Sequence, residues 1–208
     1  MAEAPDQERA EDCATTVWLT GLPASGKSAL GELLTRQIAA RGQDAEFISS
    51  GRIRRTPLGA SLGFSRDERD TNVRRHAFAA RLLVKHGVSA VVSAVSPYAG
   101  TRGEIRGQLD RFLLVYVSTP AAACVERDKT GNWARALRGE IRNFTGVDGP
   151  YEVPEAPDVV VDISSMSLDE ASARIMGTLE GRGWVPPERL SEDDQLIARQ
   201  LGAHGYGD

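Results

Sequence analysis

Gly21-Leu22-Pro23-Ala24-Ser25-Gly26-Lys27-Ser28 satisfies the phosphate-loop pattern G-x-x-x-x-G-K-[ST] at every fixed position. Its flanks are what such a loop needs. Thr16-Val17-Trp18-Leu19-Thr20 before it reads as a buried strand, and Leu30, Leu33, Leu34 and Ile38 after it recur at helical spacing. Strand, glycine turn and helix N-terminus together make an anion site, where backbone N–H groups converge and the helix dipole favours negative charge. Gly21, Ala24, Ser25, Gly26, Lys27 and Ser28 are therefore the nucleotide-binding candidates. Lys27 is expected to reach the β- and γ-phosphates of ATP, and the Ser28 hydroxyl to ligate Mg²⁺. Lys27 is one of only three lysines beside 22 arginines, so the compact ammonium stands where the motif requires it.

The chain has 208 residues, enough for one domain with a full core, and no apolar run of membrane-spanning length. Its net charge of −4 argues against general nucleic-acid binding. Residues 1–14 are acidic and polar and read as a disordered leader, not a signal peptide. Cys13 and Cys124 are isolated thiols without metal spacing, which fits a reduced cytoplasmic protein.

Downstream, apolar strands alternate with helical patterns. Ala45–Ser50, Val88–Val95, Phe112–Val117 and Val159–Val161 read as strands. A helix capped by Ser65 runs to about Lys85, with others over Thr101–Asp110, Ala121–Arg127 and Ser167–Leu179. This alternation predicts an α/β fold, a doubly wound and mostly parallel sheet flanked by helices, of the P-loop kinase type. The domain is expected to span residues 15–183. A polar, glycine-rich segment over about 128–157 suits a lid better than a core element. Residues 184–208 read as a helical tail.

Further motifs narrow the class. Leu62-Gly63-Phe64-Ser65 followed by Arg69 and Asn72, then Ser96-Pro97-Tyr98, Arg127-Asp128, and Phe144-Thr145-Gly146-Val147-Asp148-Gly149-Pro150-Tyr151, resemble the adenosine 5′-phosphosulfate (APS) kinase family in order and spacing. The resemblance implies transfer of the γ-phosphoryl of Mg-ATP to the 3′-hydroxyl of APS, giving PAPS, by an enzyme that forms a homodimer. It implies that Arg55, Arg69 and Asn72 hold the anionic part of the acceptor, with Ser96 and Tyr98 in the same substrate loop region. It further implies that Phe64 and Phe144 sandwich an adenine ring, and that Arg127, Thr145 and Val147 lie near the ATP base. Guanidinium forks for sulfate or phosphate and aromatic faces for a purine are chemically apt.

One departure bears on mechanism. Where the family carries D-G-D-N-x-R, this chain has Ser50-Gly51-Arg52-Ile53-Arg54-Arg55. Both aspartates are gone, and the second is the family's expected general base. Arg52 accepts no proton at working pH and places a cation beside the phosphates, making it a candidate catalytic residue. The expected function is ATP-dependent phosphorylation of an alcohol acceptor other than APS, a small anion that Arg52 helps to hold. Two alternatives stand beside it. One is a genuine adenylylsulfate kinase in which Asp128 or Asp148 replaces the base. The other is a non-catalytic nucleotide-binding regulatory module.

Overall fold

The computed structural model describes residues 14–187 apart from positions 58 and 60, so the acidic leader and most of the tail lie outside the described residues. Five parallel strands, β1 (Thr16–Thr20), β2 (Ala45–Ser49), β3 (Ser89–Ser93), β4 (Phe112–Val117) and β5 (Val159–Val161), form one sheet in the order β2-β3-β1-β4-β5. β1 is central. Trp18 stands in register between Val92 of β3 and Leu114 of β4. Every residue of β1 and β3 is buried, as in a sheet covered on both faces.

Alternation along β1 assigns the two layers. Val17 and Leu19 point to a cluster with Leu30, Leu34 and Ile38 of α1 (Lys27–Ala40). Ile175 and Leu179 of α7 (Leu168–Gly181) complete that layer. Trp18 points to the opposite cluster, with Val73, Ala77 and Ala80 of α3 (Arg66–Lys85) and Ile105 of α4 (Ala99–Arg106). Ser65 and Ser167 cap α3 and α7 through complete capping boxes with Glu68 and Glu170. No helix among the described residues is long and apolar enough to cross a membrane.

Three elements depart from the sequence reading. The basic stretch after β2 opens as a four-residue helix, α2 (Ser50–Ile53). The helix expected over Thr101–Asp110 starts two residues earlier, because Tyr98 serves as its N-cap, and it stops at Arg106. The 128–157 segment is not wholly open loop. It contains α6 (Asn132–Leu137), whose Trp133 and Ala136 form a small core with Phe144 and with Cys124 of α5 (Ala121–Glu126). Val185, within the segment read as tail, is buried in the α1–α7 layer.

His76 has a consequence for pH. It is buried in α3, its Nδ1 rests on the Asn72 carbonyl, and its Nε2 has no partner. Burial lowers its pKa below the usual 6.5. The unfolded chain then binds the proton more readily, so stability is full above the unfolded value and falls as pH drops below it. We expect the unfolding free energy to decline between about pH 7 and 5, by at most about 1.4 kcal/mol per pH unit from this group. His76→Gln should flatten that slope in urea titrations; an unchanged slope would assign the loss to other groups.

Candidate active site

The phosphate loop is built by close approach. Gly21 has φ 148°, and a Cβ there would lie 2.4 Å from the Val117 carbonyl oxygen, so only glycine lets the loop leave β1 at this angle. Thr119 donates its hydroxyl to the Ser25 carbonyl (2.9 Å), and the Trp133 indole donates to the Pro23 carbonyl (3.1 Å). These bonds fix the loop to the end of β4 and to α6. Lys27 Nζ is turned into the loop, donating to the carbonyls of Gly21 (3.0 Å) and Leu22 (2.6 Å) and to Ser25 Oγ (3.1 Å). Burial lowers its pKa to about 7. Ser28 Oγ lies 3.3 Å from Ser93 Oγ at the end of β3.

Beside Lys27 and Ser28 opens a cavity of about 260 Å³ beyond the C-terminal ends of the strands. Ser50 and Gly51 of α2 form one wall. Arg54, Phe64, Arg69 and Asn72 form the second, and Ser96, Asn132 and Phe144 close it. Arg69 donates from Nε to the Phe64 carbonyl (3.1 Å) and from Nη2 to the Asn143 carbonyl (2.7 Å), tying α3 to the 128–157 segment. Arg54 donates to the carbonyls of Leu62 (3.0 Å) and Gly63 (2.9 Å). Both guanidiniums lie over the Phe64 ring, 4.8 Å from its centroid for Arg54 and 5.3 Å for Arg69. Burial lowers the pKa of each, and for Arg69 the charge of Arg54 lowers it further. Asn72 donates Nδ2 to Ser50 Oγ (2.9 Å), while its buried Oδ1 has no partner.

The structure thus brings together Lys27, Ser28, Phe64, Arg69, Asn72, Ser96 and Phe144, as expected from the order of the motifs. It does not bring in Arg52, Arg55 or Tyr98. Arg55 is exposed, with Nε on the Gly51 carbonyl, and Arg54 takes the place in the wall expected of it. Tyr98 is buried at the start of α4 beneath the Arg66 guanidinium, outside the cavity. Ser96 lines the cavity, but its Oγ accepts from the Trp18 indole (2.9 Å). Arg52 leaves the cavity altogether. Its side chain, 63 % exposed, lies over the Phe47 ring and pairs with Glu32 of α1 at 2.5 Å. The expected cation beside the phosphates is therefore parked on the outer face of α1.

On the expected ATP-base side, Arg127 donates to the Ile163 carbonyl (2.8 Å). The Thr145-Gly146-Val147 turn packs over the phosphate loop. Gly146, at φ 96°, leaves no room for a Cβ, which would meet the Trp133 ring at 2.6 Å and Leu22 at 3.2 Å. Thr145 is buried and Val147 partly exposed.

Among the described residues, no carboxylate lines the cavity. Asp128 and Asp148, the expected stand-ins for the missing base, are not among the lining residues. Asp128 accepts from the Thr130 and Trp133 amides, and Asp148 from the Asn143 and Phe144 amides. Among the described residues, no group of three or more His, Cys, Asp or Glu side chains is placed to hold a metal. The donor set fits a magnesium ion only as part of a nucleotide complex, with the Ser28 hydroxyl as one oxygen and phosphates and water supplying the rest.

A parallel sheet with a phosphate loop after its central strand, and a cavity carrying Lys27, Arg54 and Arg69 at the helix N-terminus, places the protein in the P-loop phosphoryl-transfer class. The family model described as adenylylsulphate kinase matches residues 13–162. The adenylyl-sulfate kinase of Microcystis aeruginosa is 43% identical over 170 residues, 82% of this chain and 93% of that protein. A probable bifunctional SAT/APS kinase of Sorangium cellulosum is likewise 43% identical over 170 residues, and there the match spans 29% of the longer protein. The solved APS kinase CysC of Mycobacterium tuberculosis, in complex with AMPPNP and APS, superposes with a TM-score of 0.76 at 37% identity, covering 80% of this chain and 98% of that one. This chain belongs to the adenylylsulphate kinase family.

Proposed function

We propose that this chain transfers the γ-phosphoryl group of Mg-ATP to the 3′-hydroxyl of APS, releasing ADP and PAPS. The observation that carries this reading is the convergence of Phe64, Arg69, Asn72 and Phe144 in one cavity beside Lys27 and Ser28. The relatives named adenylyl-sulfate kinase support the same acceptor. Lys27 would hold the β- and γ-phosphates and Ser28 the metal that neutralises them. Arg54 and Arg69 would hold the phosphosulfate, and Phe64 and Phe144 the purine.

The acceptor oxygen forms a bond to the γ-phosphorus as the bond to the β-bridging oxygen breaks. The hydroxyl proton leaves to a phosphoryl oxygen or to water, since the described lining residues include no carboxylate to receive it. Phosphoryl transfer relies chiefly on positioning and charge stabilisation, so this loss slows the reaction without abolishing it. A missing general base costs about 10²–10⁴-fold. The ATP-dependent chemistry supports a cytoplasmic setting, and the family resemblance supports a homodimer, which sedimentation over a range of concentrations tests.

The test is formation of PAPS and ADP from Mg-ATP and APS by purified protein beside a Lys27→Ala control. Slow, APS-dependent turnover absent from the control is expected. ADP release stimulated by another anionic alcohol but not by APS would overturn the acceptor. That second reading is favoured by one observation, the absence of any carboxylate from the cavity wall among the described residues.

A further inference from the structure

Arg52 sits where the family resemblance implies an acid, yet its guanidinium is not idle. It reaches across from α2 to Glu32 on α1, and Glu32 lies four residues after Ser28 on the same helix. Residues four apart stand one above the other on a helix face, with Cβ atoms about 5–6 Å apart. The anchor of Arg52 is thus one helical turn below the hydroxyl that marks the metal and γ-phosphate position. Both ends of the pair are open to water, at 63 % and 40 % side-chain exposure, and exposed pairs of this kind are weak. The neighbours of Arg52 on α2, Ser50 and Gly51, already line the cavity with Lys27 and Ser28.

We propose that Arg52 is a movable cation of this site. It pairs with Glu32 in this structure and turns up one helical turn onto the γ-phosphoryl oxygens when ATP binds. A γ-phosphate offers several anionic oxygens to a planar guanidinium fork, whereas Glu32 offers one exposed carboxylate. Among the described residues, no wall carboxylate competes for the guanidinium there. Arg52 then stabilises the charge of the transferring group and sets ATP above ADP, which lacks that group. The inference rests on the ATP half of the proposed function and not on the identity of the acceptor.

Calorimetric titration with a non-hydrolysable ATP analogue and with ADP tests this without any acceptor. Arg52→Gln is expected to weaken the ATP analogue about tenfold, the value of a charge-assisted contact, and to leave ADP unchanged. Arg52→Lys should keep part of the preference, and Glu32→Gln, which frees Arg52, should tighten the ATP analogue alone. In turnover assays Arg52→Gln should lower kcat with the acceptor KM unchanged. An ATP-to-ADP affinity ratio equal in wild type and Arg52→Gln, with thermal melts showing both folded, would overturn the proposal even if APS is phosphorylated. Failure of APS turnover with the ratio changed would instead count only against the acceptor.

Discussion

Lys27→Met should lower ATP turnover by on the order of 10²–10³-fold, the usual cost of removing one preorganised charge from a reacting phosphoryl site. It should also erase a pH dependence of stability in the nucleotide-free protein. Burial draws the Lys27 pKa from 10.5 to about 7 in the folded chain. Between those values the unfolded chain binds the proton and the folded chain does not, so stability rises with pH across that window and the penalty is fully present below it. The three acceptors around Nζ offset part of this cost, and two of those carbonyls lose a donor in the variant. For that reason the slope, not the midpoint, is the readout. Cys124, Tyr116 and Tyr151 are neutral groups whose pKa values burial raises, and they pull stability the other way as pH approaches their ordinary values. The useful range is therefore about pH 7 to 8.5. Wild type should gain stability there by at most about 1.4 kcal/mol per pH unit and the variant should not. Saturating Mg-ATP should flatten the wild-type slope, because phosphates hold the ammonium charged. Equal slopes in the two proteins would show that Lys27 is protonated in the empty loop.

The phosphate loop was legible because its determinants are local. A strand, two glycines in fixed places and a lysine follow one another within a dozen residues, and Gly21 has a role only its missing Cβ can serve. The layers were legible for the same reason, since alternation along β1 and the 3.6-residue period of α3 each assign a face. The acceptor wall was legible in its composition but not in its orientation. Among Arg52, Arg54 and Arg55, the residue that enters the cavity is decided by four residues of helix after β2, too few to show a period. The aromatic ring of Phe47 and the carboxylate of Glu32, twenty residues before Arg52, draw that side chain outward. Tyr98 was misplaced by a similar long-range cause. Arg102 donates to the Ser96 carbonyl (2.7 Å) and the Glu152 carbonyl (2.6 Å), closing the loop so that Tyr98 turns inward. Phe144, expected as a substrate face, lines the cavity and also packs its edge on Trp133, with ring centroids 5.2 Å apart.

Arg69→Met should raise the KM for APS by about 10², while binding of ATP is little changed. A charge-assisted contact to a buried anion contributes about 1.5–3 kcal/mol, and each 1.4 kcal/mol is tenfold. Arg69 is suited to this cost. It is buried, it shares the Phe64 ring with Arg54, and no ion pair joins either guanidinium to a carboxylate among the described residues. Two like charges share one ring with backbone carbonyls as their hydrogen-bond acceptors, and the nearby Glu68 and Asp148 carboxylates offset only part of that charge, so an anion entering the cavity gains from both guanidiniums. Sulfate or pyrophosphate alone should then raise the melting temperature of the wild-type protein, and Arg69→Met should lose much of that shift. Arg69 also carries the bond to the Asn143 carbonyl, so a structural effect on the 128–157 segment must be separated from lost recognition. Arg69→Lys makes the separation. It restores a cation without the planar fork, so a purely electrostatic role would return most of the anion-induced shift, whereas the bidentate grip on a phosphosulfate would leave KM high. If Arg69→Met keeps both the shift and the KM, the acceptor is bound elsewhere, and the cationic wall serves the nucleotide alone.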